Sequence, residues 1–508
     1  MSVYTTHNLL LQDYRNISVR LIIKDYNFNS IDELSGVAES ISLSNDSTSD
    51  IRRTASISMT LDSGYTNSGI LNEMYFSAGN GFWFDKYLQI NIGISNGSTN
   101  GEIVYYPQGT YLINEPSVDY DAENNTLSFS AVDMMAKLTG LRSGNLQGIV
   151  YEIPANSKIT SVMQDILVAQ GFYKYILNEP EVPETPYDIK IESDGTTYQL
   201  LSELRDINSN WEIFFDVDGT FVFQKIPSGQ IGTAPTYNPS VIANDTDWNK
   251  LLISYNLSTS FEEVKNYVEI YGKTIEPTLS GEVNTSSISS GSISVTCSSA
   301  NVSGDIVDFI MFVLGDTSQD YNRLNVPVTS ISFTDKSTTR IITCTPPLKY
   351  NNMAYMLRAG GGYCEYLGYQ QPCAIAWENN EASPFYVGDN ISENSNLTTP
   401  TDEIIDDNVF KNIVRMVCSG DEYDNIYSNQ LAIDRAIYEL YQNCRLHDTI
   451  TITCVPMYDM DTNKMIAITL PNEDAVSYWL IKSVNTDFSA TGTQTITAMR
   501  YYPEYPSN

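Results

Sequence analysis

The sequence predicts a mainly β protein with a minor α+β part: two β-barrels, a small α+β domain lying between them in sequence, and a β-rich insertion within the second barrel. Three observations carry this. Short segments rich in β-branched and aromatic residues alternate in period two and recur between clusters of Gly, Asn, Asp and Ser. Apolar residues at helical spacing are confined to a few stretches, around 159–167, 200–207 and 431–440. The 508 residues are enough for about three or four domains, so a core is viable without disulfides or metals.

Residues 1–142 read as the first barrel. The segments SVRLIIK, ASISMTL, KYLQINIGI and TLSFSAV place Val19, Leu21 and Ile23, then Ile57, Met59 and Leu61, then Leu88, Ile90 and Ile92, then Leu127 and Phe129 on one face. Between them NDSTSD, SAGNG, SNGSTNG and DAENN have turn composition. Arg52 and Arg53, just before the second of these strands, are partners for the plentiful carboxylates or simply two exposed charges.

Residues 143–235 read as the small α+β domain, with two helices and a hairpin. Ser157 is placed to cap a helix whose apolar face is Ile159, Val162, Met163, Ile166 and Leu167, with Gly171 at its end. The linker-like NEPEVPETP and a short strand, YDIKI, follow. Thr196 or Thr197 caps a second helix with Leu200, Leu201, Leu204 and Ile207 on one stripe. Trp211, Ile213 and Phe215 then form a strand, Asp218-Gly219 turns the chain, and Phe221, Phe223 and Ile226 return. Asp216, Asp218 and Gly219 do not make a calcium loop: with Gly219 sixth, Phe214 falls at the first ligand position and Lys225 where the bidentate Glu belongs.

Residues 236–275 and 425–508 read as the second barrel with one helix. LLISYNLS and EEVKNYVEIYG begin it, and DTITITCVP, KMIAITL, YWLIKSV and TQTITAMRYYP complete it. A helix from near Ser428 turns Leu431, Ala432, Ala436, Ile437 and Leu440 inward. Residues 276–424, rich in Ser, Thr, Asn and Gly, form the β-rich insertion.

The formal net charge of -34 argues against a partner gripped by neutralising its phosphates. The N-terminus lacks the basic start and apolar run of a signal peptide, and no stretch is long enough to span a bilayer, so synthesis in a cytoplasm without a membrane anchor is expected. Seven cysteines without C-x-x-C fit reduced thiols; Cys364 and Cys373 are the pair that a hairpin brings near each other. With His7 and His447 as the two histidines, a multi-histidine metal site is hard to build. Cys444, His447 and Asp448 in CRLHD suggest a nucleophile, base and orienter, but a helix C-terminus accounts for His447 and Arg445 through its dipole. Gly360, Gly361 and Gly362 lack the G-K-[ST] that makes a phosphate loop. No catalytic residue, cofactor or metal is therefore expected.

Four passages, in order, carry a resemblance. They are IRRTASISMTL with GTYLINEPSVDYDAENNTLSFSAVDMMAKLTG, then LLSELRDINSNWEIFFDVDGTFVFQKIP, then EYLGYQQPCAIAWENNEASPFYV, and LAIDRAIYELYQNCRLHDTITITCVP with the closing strands to RYYP. Together they resemble the tail hub, or baseplate hub, proteins of tailed bacteriophages of Gram-positive hosts and the matching part of phage-like contractile particles. The resemblance implies two tube-type β-barrel domains per chain. It implies a homotrimer whose ring of six barrels continues the tail tube channel and adapts six-fold to three-fold symmetry at the distal tail tip. Its implied partners are adjacent tail tube, distal tail and tail-tip proteins, with DNA passing through without specific binding, in a virion assembled from chains made in the host bacterial cytoplasm. Such a channel is expected to be walled by Asp, Glu, Ser, Thr and Asn. The alternatives are a tail-associated cell-wall glycan hydrolase, built on a carboxylate pair, and a carbohydrate-binding tip protein using Tyr355, Tyr363, Tyr366 and Tyr369.

Overall fold

The computed structural model describes residues 17–61, 85–95, 103–114, 116–120, 125–146, 148, 150–192, 194–228, 241–243, 251–273, 281–284, 293–298, 309–314, 323–327, 330–336, 339–345, 364–367, 372–378, 383–387, 413–427, 429–470, 475–489 and 491–502. For residues 34–39, 59–61, 118–120, 125, 241–243, 421 and 429–430, and for the strands between 281 and 367, the backbone alone is described. The chain forms two compact units, residues 1–260 with 447–503, and residues 261–446 with 504–508.

The first unit begins with β1 (Ile17–Lys24), β2 (Ser30–Asp46), β3 (Arg53–Leu61), β4 (Tyr87–Ser95), β5 (Ile103–Ile113), β6 (Ser117–Tyr120) and β7 (Asn125–Asp133). Strands β1, β4, β5, β7, β3 and β2 pair in that order, and β2 returns to β1, closing a barrel. Closure follows from the period-two pattern, since each strand has one apolar face to bury. Val19, Leu21, Ile57, Leu88, Ile90, Leu127 and Phe129 are all buried in one core, as their alternation predicts. The side chains of Met59 and Leu61 lie outside the described residues.

The small domain follows, with β8 (Tyr151–Ile153), α1 (Ile159–Ala169), β9 (Tyr175–Leu177), β10 (Ile189–Ile191), α2 (Thr197–Asp206), β11 (Trp211–Phe215) and β12 (Phe221–Lys225). Lys158, not Ser157, occupies the N-cap of α1; the Ser157 hydroxyl donates to the Pro154 carbonyl instead. Helix α2 starts with a capping box: the Thr196 hydroxyl accepts from Gln199 N while the Gln199 side chain accepts from Thr196 N. Leu200, Leu201 and Leu204 pack with Ile213, Phe215, Phe221 and Phe223 of the antiparallel hairpin, and β9 adds in parallel to β12. This core also takes Tyr87, Leu112 and Met134 through Ala136, so the first barrel and the small domain are packed together rather than linked by a tether.

Strands β13 (Val241–Ala243) and β14 (Leu252–Ser260) end the first part of this unit. The second unit then holds β15 (Tyr267–Tyr271), β16 (Gly281–Asn284), β17 (Ile293–Ser298), β18 (Phe309–Leu314), β19 (Arg323–Pro327), β20 (Ser330–Lys336), β21 (Thr339–Thr345), β22 (Cys364–Leu367), β23 (Cys373–Trp377), β24 (Arg415–Cys418) and α3 (Asn429–Asn443). Within the insertion, β16 to β22 form, among the described residues, a seven-stranded sheet in the order β19-β18-β22-β16-β17-β21-β20. Strand β15 and helix α3, expected within the second barrel, lie elsewhere. Strand β15 sits between β23 and β24, and Val268, Ile270, Ala374 and Ala376 pack on Ala432, Ala436 and Leu440 of α3. Cys364 and Cys373 fall in different sheets.

The chain re-enters the first unit with β25 (His447–Cys454), β26 (Met465–Ile468), β27 (Ser477–Asp487) and β28 (Gln494–Arg500). The order β13-β26-β27-β28-β25-β14 forms the second barrel sheet, open between β13 and β14 among the described residues. Ile450, Ile452, Ile466, Trp479, Ile481 and Ile496 continue the core of the first barrel without a break.

Candidate channel face and the buried joint behind it

Two strands split their pairing along their length, and this joins the barrels into one sheet. Strand β2 pairs with β1 over its first half and with β27 from Ser42 to Asp46. Strand β27 pairs with β26 from Ser477 to Leu480 and with β2 after the bulge at Ile481/Ser483. The result is an eight-stranded antiparallel path, β6-β7-β3-β2-β27-β28-β25-β14. Among the described residues, β6 and β14 are each paired on one side only, which leaves a row of backbone donors and acceptors at both ends.

One face of this path is the core; the other is a field of hydroxyls and amides. Thr54, Ser44, Asn485, Thr495, Thr453 and Ser254 stand in register on successive strands from β3 to β14. A neighbouring row runs Asp46, Ser483, Thr497, Thr451 and Asn256, and two others run Ser130, Ser56, Ser42, Asp487 and Ser117, Ser128, Ser58, Ser40. Each of these side chains is at least partly exposed, while the intervening Leu43, Ala55, Ile57, Phe129, Ile452, Val484 and Ile496 are buried. The two acids in these rows are engaged locally: Asp46 accepts from Thr48 and Asp487 from Ser489. No Lys or Arg occupies these rows. The repeated T-x-T of β25 and β28 was visible in sequence as β texture, but register alone shows that the hydroxyls form one surface.

Behind the sheet, Arg52 and Arg53 anchor a buried joint. Arg52 Nη1 lies 2.7 Å from Glu212 Oε2 of β11, both side chains nearly inaccessible, and its guanidinium stacks over the Phe214 ring at 4.7 Å. Glu212 also accepts from Asn463 Nδ2 at 2.6 Å and from Gln224 Nε2 at 2.7 Å. Arg53 reaches Asp461 Oδ1 at 2.6 Å and donates to the Phe215 carbonyl, while its backbone N–H donates to Asp133. Burial pushes the Asp133 carboxyl up, with the backbone donors of Arg53 and Met135 pulling it back. Burial depresses the Lys482 ammonium, Glu212 opposing and Arg52 adding to the fall. The two arginines thus hold three parts of the chain together, and the reading of two exposed charges does not apply. A cavity of about 310 Å³ adjoins the joint, lined by Leu43, Arg53, Tyr106, Gln108, Tyr458, Asp461, Lys464 and Val484 among others.

The Asp216–Gly219 turn is docked on the first barrel. Asp216 Oδ1 accepts from the N–H groups of Asp218 and Thr220, Thr110 donates to the Val217 carbonyl, and Gln89 donates to Asp218. The two Asp216 bonds are those of an Asx-type turn, at the place where the sequence puts the hairpin turn.

The CRLHD residues have structural partners. Cys444 Sγ donates to Glu378 within the second unit, and burial with that carboxylate raises the thiol, which keeps it protonated. Asp448 accepts from Thr259 and pairs with Arg500 within the first. No group of three or more His, Cys, Asp or Glu among the described residues is placed to hold a metal. No helix there is long and apolar enough to cross a membrane. His7, Gly360, Gly361, Gly362, Tyr355, Tyr363 and Tyr369 lie outside the described residues, and of Tyr366 the backbone alone is described.

Residues 406–505 match the family model described as a domain of unknown function, DUF5048. No curated protein matches the sequence. Among solved structures, the chain is similar to the prophage MuSo2 43 kDa tail protein from Shewanella oneidensis, at 12% identity and a TM-score of 0.46, covering 95% of this chain and 98% of that one. It is similar to a tail protein from Neisseria meningitidis at 9% identity and a TM-score of 0.45, covering 95% and 96%. It is also similar to prophage tail protein gp18 from Listeria monocytogenes at 9% identity and a TM-score of 0.41, covering 94% of each. Identities and scores at this level carry no function across.

Proposed function

We propose that this chain is a structural component of a bacteriophage tail. In this reading it is a homotrimeric hub at the distal tip that continues the tail tube channel and adapts six-fold to three-fold symmetry for DNA delivery. The observation that supports it is the eight-stranded sheet, which among the described residues has one hydroxyl face and an unpaired edge at each end. Edge-to-edge association of such a sheet is heterologous, with β14 of one copy against β6 of the next, and a rotation that closes turns it into a ring. Each chain brings two barrel sheets, so three copies present six, and the sequence resemblance to tail hub proteins points to the same number. The tube-type parts are residues 1–142 and the strands of 241–260 and 447–500.

Turned inward, the hydroxyl rows suit a passing duplex. A wall of Lys and Arg releases counterions on contact and retains DNA, whereas Ser, Thr and Asn form exchangeable hydrogen bonds with water and phosphate alike. The wall expected from composition included Asp and Glu in quantity. Among the described side chains this face is nearly uncharged, so passage rests on the absence of cations more than on repulsion. Neighbouring tail proteins would meet the ends of the ring, and the virion tail is its location.

Light scattering of the purified protein together with anisotropy of a labelled duplex at low salt tests this. A trimer that leaves the duplex free is expected; a monomer at every concentration that binds the duplex tightly would overturn it.

A further inference from the structure

We propose that the small α+β domain is a splint across the seam between the two barrel sheets, with Glu212 as the positioning residue that ties them. This goes beyond the tail assignment and does not depend on it.

The seam itself is short. Five residue pairs, Ser42–Asp46 against Asp487–Ser483, make its backbone ladder. A cavity of about 310 Å³ lies beside it, lined by Leu43 and Tyr106 of the first barrel and by Val484 and Tyr458 of the second, with Tyr106 and Tyr458 meeting ring to ring at 5.2 Å. A short ladder beside a cavity resists bending poorly.

The hairpin β11–β12 supplies what the seam lacks. It is fixed to the first barrel along two sides: Arg52 pairs with Glu212 and Arg53 with the Phe215 carbonyl at the strand, and Thr110 and Gln89 hold Val217 and Asp218 at the turn. Gly219 lets that turn lie flush, because a Cβ there would stand 2.9 Å from the Phe28 ring. From this fixed position Glu212 receives the Asn463 amide at 2.6 Å, and Asn463 belongs to the loop before β26 of the second sheet. One carboxylate therefore takes a donor from each barrel, and because the hairpin that carries it is fixed to the first, the Asn463 bond holds the second sheet to that same frame. Asn463 adopts a φ of 55°, a left-handed conformation that an asparagine tolerates and that aims its side chain back at the joint.

The splint is tested by amide hydrogen exchange on the full chain. Asn463→Gly removes the tie to the second sheet, and glycine accepts the same backbone conformation without strain. Exchange is expected to speed about tenfold at Ser42–Asp46 and Ser483–Asp487, the effect of losing one hydrogen bond to a charged group, while Tyr87–Ser95 of the closed barrel keeps its protection. Glu212→Gln, with both ties weakened, is expected to give the same pattern at greater amplitude. Unchanged exchange at the seam in Asn463→Gly, or a rise spread evenly over both barrels, would overturn the proposal.

Discussion

Arg53 and Asp461 are 408 residues apart in sequence and 2.6 Å apart in the fold, the guanidinium almost wholly buried. Removing the acid leaves a buried cation that still donates to the backbone carbonyl of Phe215. Asp461→Ala should therefore cost about 3–5 kcal/mol, the usual penalty for breaking one half of a buried pair. Urea denaturation followed by tryptophan fluorescence measures it; a loss below about 1 kcal/mol would class the pair with surface ion pairs.

The docked turn gives a second expectation. At Gly219 the backbone has φ 75°, and an added Cβ would meet the Phe28 ring at 2.9 Å and Thr110 Cβ at 3.2 Å. Gly219→Ala combines left-handed strain with a clash and should destabilise by about 1–3 kcal/mol. Thermal melting of the variant checks it, and Asp218→Ala at the same turn, losing the Gln89 bond, should fall by less.

Lys482 supplies the pH expectation. Its pKa is lowered, by burial first, with Glu212 opposing and Arg52 adding. A depressed folded-state value means that its stabilising contribution is present above the unfolded pKa of about 10.4 and is lost as pH falls through the lowered value. At neutral pH the ammonium is thus a cost. Lys482→Met should melt no lower than the parent at pH 7 and should lack the part of the parent's gain in stability that comes from this lysine on the alkaline side. A large drop in melting temperature at pH 7 would show that Glu212 needs this lysine as well as Arg52.

Much of this fold was legible in the residues. Val19, Leu21, Ile57, Leu88 and Ile90 are core because alternation states which face is apolar, and Thr196 with Gln199 states a helix start. Alternation does not state a partner. Tyr267–Tyr271 reads like any barrel strand, and its pairing with Cys373–Trp377 and Arg415–Cys418 depends on chain more than a hundred residues away. The joint was hidden for the same reason. An arginine before a strand looks alike whether exposed or buried, and Glu212, Asp461 and Asn463 are ordinary polar residues until the fold brings them together. The hydroxyl face was visible strand by strand as Ser and Thr, but its continuity depends on the β2–β27 seam, which no local pattern encodes.

In the proposed assembly the sheet closes by threes with its hydroxyl rows inward, and a three-dimensional image of the assembled protein tests this. A three-fold ring is expected in which β14 of each copy lies beside β6 of the next and Ser44, Thr451 and Thr497 face the channel. A ring of another symmetry, or one with those residues on its outer surface, would contradict it.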